Sequence, residues 1–427
     1  MVKYVLTCLL IVAAVSSASA ATRMLTLDQA VAIAMEKNRD IAKAGEYARY
    51  VEGKYVEERA AALPQLDLHG STAALRDNGL PQIQGGEVTQ YDSTIGLSLT
   101  QPLYTWGKIG ATIRAAEIGM KTSGEQLRMA QQAARRDVTV TFYNVLLAKE
   151  LLLVATEDLR QKQRHLEESK KRFDAGVATD YDILAAEVAA ENATPAVIRA
   201  ENLLQMTRER LRFHLALEDA EADAVGSLEP TISAPPDFEE ALSAALSRRP
   251  ELLESGHRIG IYRELVNIAA ADNKPRLDLN GGTGWHSLEV DNFRSEGTSW
   301  NIAIRLSFPF FDGMRTDGRV AQAESELATK EIETRKLIDS IRLDVRTALN
   351  DVREATEILT AISGTVRQAE KLLKMAEKGY EYGVKIRLEV DDAQTNLLKA
   401  QINRAKAATD YLVARVNLDW AMGRLGE

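Results

Sequence analysis

The sequence predicts a mainly α-helical chain that also carries membrane-type β-strands, is internally duplicated and has to oligomerise. Three observations lead there. The first is a repeat: Leu27, Ala30, Asn38, Ile41, Pro64, Leu66, Leu68 and Gly70 recur 211 positions later as Phe238, Ala241, Arg249, Leu252, Pro275, Leu277, Leu279 and Gly281. Past the short strand-like segments the offset becomes 207, pairing Pro102 with Pro309, Asp137 with Asp344, Phe173 with Tyr380, Gly176 with Gly383 and Leu211 with Leu418. One unit has been copied. The second observation is a set of helical seams too long for an ordinary domain, and the third is four segments of strict alternation. The first repeat covers 21–226, with a β-hairpin over 64–104 and a long helix hairpin over 105–219. The second covers 227–427, with a β-hairpin over 275–309 and a helix hairpin over 312–425.

At the N-terminus, Lys3, the apolar run Tyr4 to Val15 and then Ser17-Ala18-Ser19-Ala20 read as an export signal over 1–20. The apolar run is shorter than the ~20 residues of a spanning helix. Cys8, the only cysteine of the chain, lies inside it, so the mature protein is expected to lack disulfides, thiol chemistry and lipid attachment. The formal net charge of −9 makes nucleic acid a poor partner, because phosphates demand a basic face. After the signal no stretch reads as apolar and long enough for a transmembrane helix, which excludes a helical inner-membrane protein.

Four segments alternate with period two. Leu66, Leu68, Gly70, Thr72 and Ala74 share one face, and so do Ile95, Leu97 and Leu99. In the second repeat Leu277, Leu279, Gly281, Thr283 and Trp285 form one set, and Trp300, Ile302, Ile304, Leu306 and Phe308 the other. Each segment is about the 9 to 11 residues that cross a bilayer as a tilted strand. Between them, Arg76 to Tyr91 and Ser287 to Ser299 read as polar loops. Tyr104, Trp106, Phe308, Phe310 and Phe311 at one end, and Tyr91, Trp285 and Trp300 at the other, suggest two interfacial girdles.

Helices are expected from about Thr105 to Ala175 and from about Asp312 to Tyr382, each ~70 residues and hence ~105 Å long. Val390, Ala393, Leu397, Ala400, Ala407, Tyr411, Ala414, Leu418 and Ala421 follow steps of three and four, a coiled-coil seam. Leu398, Ile402, Ala405, Leu412 and Val416 form a second seam beside it. The first repeat answers with Ile183, Ala186, Ala190, Ala193, Val197, Ala200, Leu204 and Leu211, interrupted by Pro195, where a kink or break is expected. Helices with neighbours on two sides can act as staves of a hollow cylinder. Strands in lipid must close into a barrel, and four are too few where about eight are needed. Several copies must therefore share one barrel. A secreted structural coiled-coil protein without a pore is the alternative, sharing the seams but not the girdled strands.

The chain resembles the TolC-like outer membrane efflux proteins over essentially its whole mature length. The resemblance rests on the duplicated opening helices, Ala62-Leu63-Pro64-Gln65-Leu66, Leu99-Thr100-Gln101-Pro102-Leu103-Tyr104, Phe142-Tyr143-Asn144-Val145-Leu146 and the turns at 172–177 and 379–384. It implies a homotrimer with a trimeric α-barrel and a shared 12-stranded β-barrel, four strands from each protomer. It further implies a passive outer membrane duct with its helical tunnel in the periplasm, surrounded by outer membrane lipid. A periplasmic adaptor and an inner-membrane pump, proton-driven or ATP-driven, would open it. By the same carry-over, Asp182, Tyr380, Lys385, Arg387, Glu389 and Asp392 are gate candidates. Asp182 would accept from Tyr380 and pair with Lys385, for which Arg387 could substitute. Glu389 and Asp392 would ring the pore, with Asp391 merely solvated. Ala175, Gly176, Val177, Tyr382, Gly383 and Val384 would form the adaptor-docking tips, their glycines reversing each hairpin in the left-handed conformation.

No catalytic constellation and no cofactor motif is present. His69, His165, His214, His257 and His286 lack metal-ligand spacing. Gly281-Gly282-Thr283-Gly284 precedes no helix and reads as glycine-rich strand rather than a phosphate loop.

Overall fold

The computed structural model describes residues 23–76, 89–218, 222–290 and 293–426. The expected export signal with Cys8, and residues 77–88 of the first loop, lie outside the described residues. The chain runs β1 (Arg23–Leu25), α1 (Leu27–Lys37), α2 (Arg39–Ala60), β2 (Gln65–Arg76), β3 (Thr89–Tyr104), α3 (Lys108–Asp174), α4 (Asp180–His214) and β4 (Ala222–Ala224). It continues through α5 (Phe238–Arg248), α6 (Pro250–Ala270), β5 (Arg276–Val290), β6 (Phe293–Ser307), α7 (Arg315–Ile362), α8 (Thr365–Glu381) and α9 (Arg387–Ala421). Two compact units result, and each draws on both sequence halves. One holds Ala44–Arg128 and Pro250–Asp339, the other Met1–Lys43, Met129–Arg249 and Ser340–Glu427.

The first of these units contains an antiparallel sheet of order β2-β3-β5-β6. Its register converts four separate alternations into one surface. Leu66 pairs with Leu99, Leu99 with Gly281 and Gly281 with Ile302; Leu68 pairs with Leu97, Leu97 with Thr283 and Thr283 with Trp300. Directly opposed residues share a face, so every apolar set falls on the same side. Leu68, Trp300, Ile302, Ile304 and Leu306 are all exposed there in the protomer. On the opposite face the rows are polar, such as Asp67, Ser98, Gly282 and Asn301. Gly96 and Gly284 face each other across β3 and β5, where a Cβ on Gly284 would meet the Ile95 carbonyl at 2.7 Å and one on Gly96 would meet the His69 ring at 2.9 Å. The glycines of this strand allow close backbone approach, as strand glycines do.

The expected loop over Ser287 to Ser299 is mostly strand: β5 reaches Val290 and β6 starts at Phe293. Backbone pairing continues past the apolar band because it does not depend on side-chain polarity. The rows there carry Ser287 with Glu296 and Glu289 with Arg294. Tyr91, expected in the outer girdle, pairs with Glu289 in this polar stretch, whereas Trp285 and Trp300 lie at the edge of the apolar band. At the helical end of the sheet, Trp106 and Gly107, then Gly313 and Met314, take left-handed backbone conformations 207 positions apart.

In the other unit β1 and β4 pair in parallel. The sequence reading held only four strands, and three-residue segments carry too little alternation to be seen. Behind them Leu25, Ala30, Ala34, Val138, Phe142 and Val145 form a core with Leu204, Leu211 and Leu215. Asp223 of β4 is buried, and Arg208 (2.7 Å) and Lys149 (2.8 Å) clasp it. Burial pushes the Asp223 carboxyl up, but these two cations win and hold it below the ordinary carboxylate range. The stretch of α3 holding Val138, Phe142, Val145 and Leu146 also corrects the expectation that no helix is apolar enough to span a membrane: α3 passes that test by length and composition. These four side chains are buried in the protein core, and 44% of the apolar span is buried in all.

The duplicated caps are visible in detail. Thr26 opens α1 with a capping box to Gln29, and Asp237 opens α5 by accepting from the Glu239 N–H. At the next junction the repeats diverge. Asn38 donates to the His214 carbonyl and accepts from the Asp40 and Ile41 N–H groups. Its counterpart Arg249 instead donates to Asp344 and lies 4.6 Å from the Trp420 ring, which Arg136 also approaches at 4.7 Å.

Two helical expectations change in the structure. Of the kink or break expected at Pro195, the break is excluded, because α4 is continuous from Asp180 to His214. Glu191 and Pro195 are both exposed, so the turn that loses a donor lies on the solvent side of α4. The single helix expected over Asp312 to Tyr382 is instead two, α7 and α8, divided at Ser363-Gly364. Glycine and serine disfavour a helix interior, and the first repeat has Glu157 where the second has Gly364. The α9 seam is as expected, with Val390, Ala393, Ala400, Ala407, Tyr411, Ala414, Leu418 and Ala421 buried.

Candidate functional site

The two hairpin tips repeat one backbone construction. Helix α3 ends as Gly176 takes φ +73°, with the Gly176 N–H donating to the Phe173 carbonyl (2.8 Å) and the Val177 N–H to the Arg172 carbonyl (2.9 Å). Helix α8 ends as Gly383 takes φ +75°, with bonds from Gly383 to Tyr380 (3.0 Å) and from Val384 to Gly379 (2.8 Å). Both are Schellman closures, which need a residue free of a Cβ penalty. Each tip then presents apolar side chains to solvent: Val177 is 64% exposed, Tyr382 78% and Val384 79%. Ala175 is exposed beside them.

The next helices start on matched carboxylates. Asp182, at the third position of α4, accepts from the Thr179 N–H and hydroxyl, both at 2.8 Å. Glu389, 207 positions later in α9, accepts from the Ile386 N–H at 3.1 Å and from the Lys385 ammonium. The Thr179 N–H and hydroxyl hold the Asp182 carboxyl below its ordinary range. Lys385, then the Ile386 N–H, do the same for Glu389. A carboxylate in the first helical turn satisfies free N–H groups and complements the helix dipole.

The expected link from Asp182 to Tyr380 and Lys385 is therefore not formed within the protomer. Both Asp182 and Lys385 are engaged locally, because bonds three or four residues away need no tertiary alignment. The tips are joined instead by Arg172, which sequence reasoning missed. Its guanidinium donates to the Tyr380 hydroxyl at 3.1 Å and lies 5.4 Å from the ring centre. Arg172 reads in sequence as an ordinary basic residue of a last helical turn, so its role was visible only in three dimensions.

A second cross-hairpin contact lies above. Arg387 donates to His165 Nδ1 (3.1 Å) and pairs with Asp391 (3.0 Å), so Asp391 is not merely solvated. Arginine has no acceptor, so this contact requires the tautomer with the proton on Nε2, a buried atom with no partner among the described residues, while the Glu168 carboxylate approaches the same Nδ1 at 3.6 Å. Burial, then Arg387, push the His165 pKa below its ordinary value against Glu168 and Asp391. Gln394 donates to Asp158 at 3.2 Å, a further contact between α9 and α3. Asp392 is exposed and makes no side-chain hydrogen bond among the described residues. Leu373, Ala376, Val390 and Ala393 form the apolar layer that positions these groups. Among the described residues no cluster could hold a metal ion.

The profile of the family described as outer membrane efflux protein matches this chain twice, over residues 30–217 and 241–424. Outer membrane protein TolC of Vibrio cholerae is 25% identical over 378 residues, covering 86% of this chain and 84% of TolC. The alkaline protease secretion protein AprF of Pseudomonas aeruginosa is 25% identical over 346 residues, covering 80% and 72%. Among solved structures, the Campylobacter jejuni CmeC outer membrane channel has a TM-score of 0.83 at 19% identity, over 93% of this chain and 85% of that chain. These relatives support the channel reading and not a pore-free secreted coiled coil. Matched in both halves by one profile and sharing the channel fold, this chain belongs to the outer membrane efflux protein family, channel proteins of the outer membrane rather than enzymes.

Proposed function

We propose that three copies of the chain form the exit duct of a tripartite efflux pump or a type I secretion system, gated at the periplasmic tips. One observation carries the reading: the sheet has a single continuous apolar face, and among the described residues its outer strands β2 and β6 each have a neighbour on one side only. Lipid tolerates no open strand edge. Strands β2 and β6 run in opposite directions, so successive copies can join antiparallel, and three copies supply the shared twelve-stranded barrel. The repeats 21–226 and 227–427 would each contribute one hairpin of strands and one helical hairpin to the wall.

In this proposal Ala175, Gly176, Val177, Tyr382, Gly383 and Val384 receive a periplasmic adaptor, which couples the duct to a proton-driven or ATP-driven inner-membrane pump. The exposed Val177, Tyr382 and Val384 support that role. Asp182, Tyr380, Lys385, Arg387, Glu389 and Asp392 would surround the closed entrance. The test is a photocrosslinker placed at Val384, and at Ile304 as a control, in the full chain within its own envelope. Capture of a periplasmic protein from Val384 and not from Ile304 is expected. The pump that co-purifies with it separates efflux from secretion. A purified chain that stays monomeric and leaves planar bilayers non-conducting would overturn the duct.

A further inference from the structure

Where the sheet gives way to the helices, an open cavity of about 490 Å³ is lined by Trp106, Phe308, Phe310, Phe311 and Met314. Ligand sites commonly have volumes of roughly 300–1,000 Å³. Phe310 is 89% exposed and Phe311 82% in the protomer, high for residues that are usually buried. Phe308 continues the row of Trp300, Ile302, Ile304 and Leu306, so the cavity adjoins the apolar face of the sheet. Polar groups line the same cavity: Lys274, Asp317 and Asn273. Lys274 and Asp317 make no ion pair among the described residues, whereas Asp312 beside them is already engaged by the Thr316 N–H and hydroxyl.

We propose that this cavity binds one phospholipid of the inner leaflet of the outer membrane, with a headgroup that carries a phosphate and a primary amine. The inference rests on the outer-membrane placement of the sheet, whose helical end faces the periplasm. An acyl chain lies along Phe308, Phe310, Phe311 and Met314, extending the lipid contact of the sheet. The Lys274 ammonium meets the phosphate. The amine, a donor of three N–H bonds, meets the Asp317 carboxylate. A mixed lysine and aspartate lining fits a zwitterion better than a purely anionic or purely apolar molecule. Such a lipid would fix the depth of the strand-to-helix junctions, where Trp106 and Met314 hold left-handed backbone conformations.

Native mass spectrometry of the assembled full chain, titrated with phosphatidylethanolamine, phosphatidylcholine or phosphatidylglycerol, tests this. Phosphatidylethanolamine is expected to be retained preferentially, since choline offers no N–H and glycerol no cation. Phe310→Ser combined with Phe311→Ser should weaken that retention about tenfold, the loss expected when apolar burial of this size is removed. Lys274→Glu should weaken phosphatidylethanolamine retention while leaving the assembled mass unchanged. Equal retention of all three lipids by the wild type, the mark of annular lipid only, would overturn the site while leaving the duct standing. Equal phosphatidylethanolamine retention by wild type and variants at the same assembled mass would do so too. A wild type that never assembles would overturn the duct, and this site with it.

Discussion

At the residue scale the tips are governed by short-range chemistry. Lys385, just ahead of α9, neutralises Glu389 in the first turn of that helix, leaving Asp392 as the unpaired carboxylate there among the described residues. Lys385→Ala should therefore make each tip more negative, and in the assembled duct raise cation over anion permeability and conductance, read from reversal potentials in planar bilayers. Unchanged selectivity and conductance would remove Lys385 from the pore mouth. His165 makes the contact with Arg387 sensitive to pH. Its folded pKa is lowered, so the unfolded or detached state binds more protons in acid and stability rises with pH. The contact is complete above the ordinary histidine pKa of about 6.5 and is lost as pH falls toward the lowered value. Protection factors for hydrogen exchange around 158–170 and 387–394, taken relative to the intrinsic rate at each pH, should fall between pH 7.5 and pH 5. In His165→Leu that acid-dependent loss of protection should disappear; if it persists, His165 is not the sensor.

Helix ends and helix breaks decide more than helix interiors at the element scale. Gly383 holds φ +75° while its N–H closes the α8 turn. Proline can supply neither, being locked near −65° and lacking the N–H. Gly383→Pro should spare assembly of the sheet, detected as an unboiled oligomer on gels, yet abolish adaptor crosslinking from Val384. Normal export by that variant would count against tip docking. Gly383→Ala should cost about 1–2 kcal/mol at the same turn, the penalty of a left-handed alanine, and leave docking measurable. The α7–α8 break at Ser363-Gly364 has no counterpart in α3, so the two helical hairpins are not equivalent despite their common origin. Pro195, by contrast, is absorbed without a break.

Across the whole molecule the sheet assigns its two faces. Ile302 lies in the apolar row with Leu66 and Leu99, and Asn301 in the polar row with Asp67 and Ser98. Ile302→Lys should cost up to roughly 2–4 kcal/mol if the residue sits near the bilayer midplane, and sharply reduce the heat-modifiable assembled form. Asn301→Lys on the other face should assemble normally and alter conductance. Equal assembly of both variants would contradict the lipid-facing assignment.

The sequence by itself determined the period of every long element, the face of each strand, the duplication and the positions of the two tip glycines. All of these depend on spacing within one stretch of chain or on repetition of that spacing. Only the tertiary structure decided which strands are neighbours, so that four alternations became one apolar surface. It also decided the partners of charged side chains. Asp182 and Lys385 closed onto adjacent turns, while Arg172 reached Tyr380 and Arg387 reached His165. Long flexible side chains can satisfy themselves locally or across a gap at similar free energy, and the choice depends on distances that no one-dimensional pattern records. Backbone hydrogen bonding likewise ran β5 and β6 beyond their apolar stretch, because ladder pairing does not depend on the polarity that marked the strands in sequence.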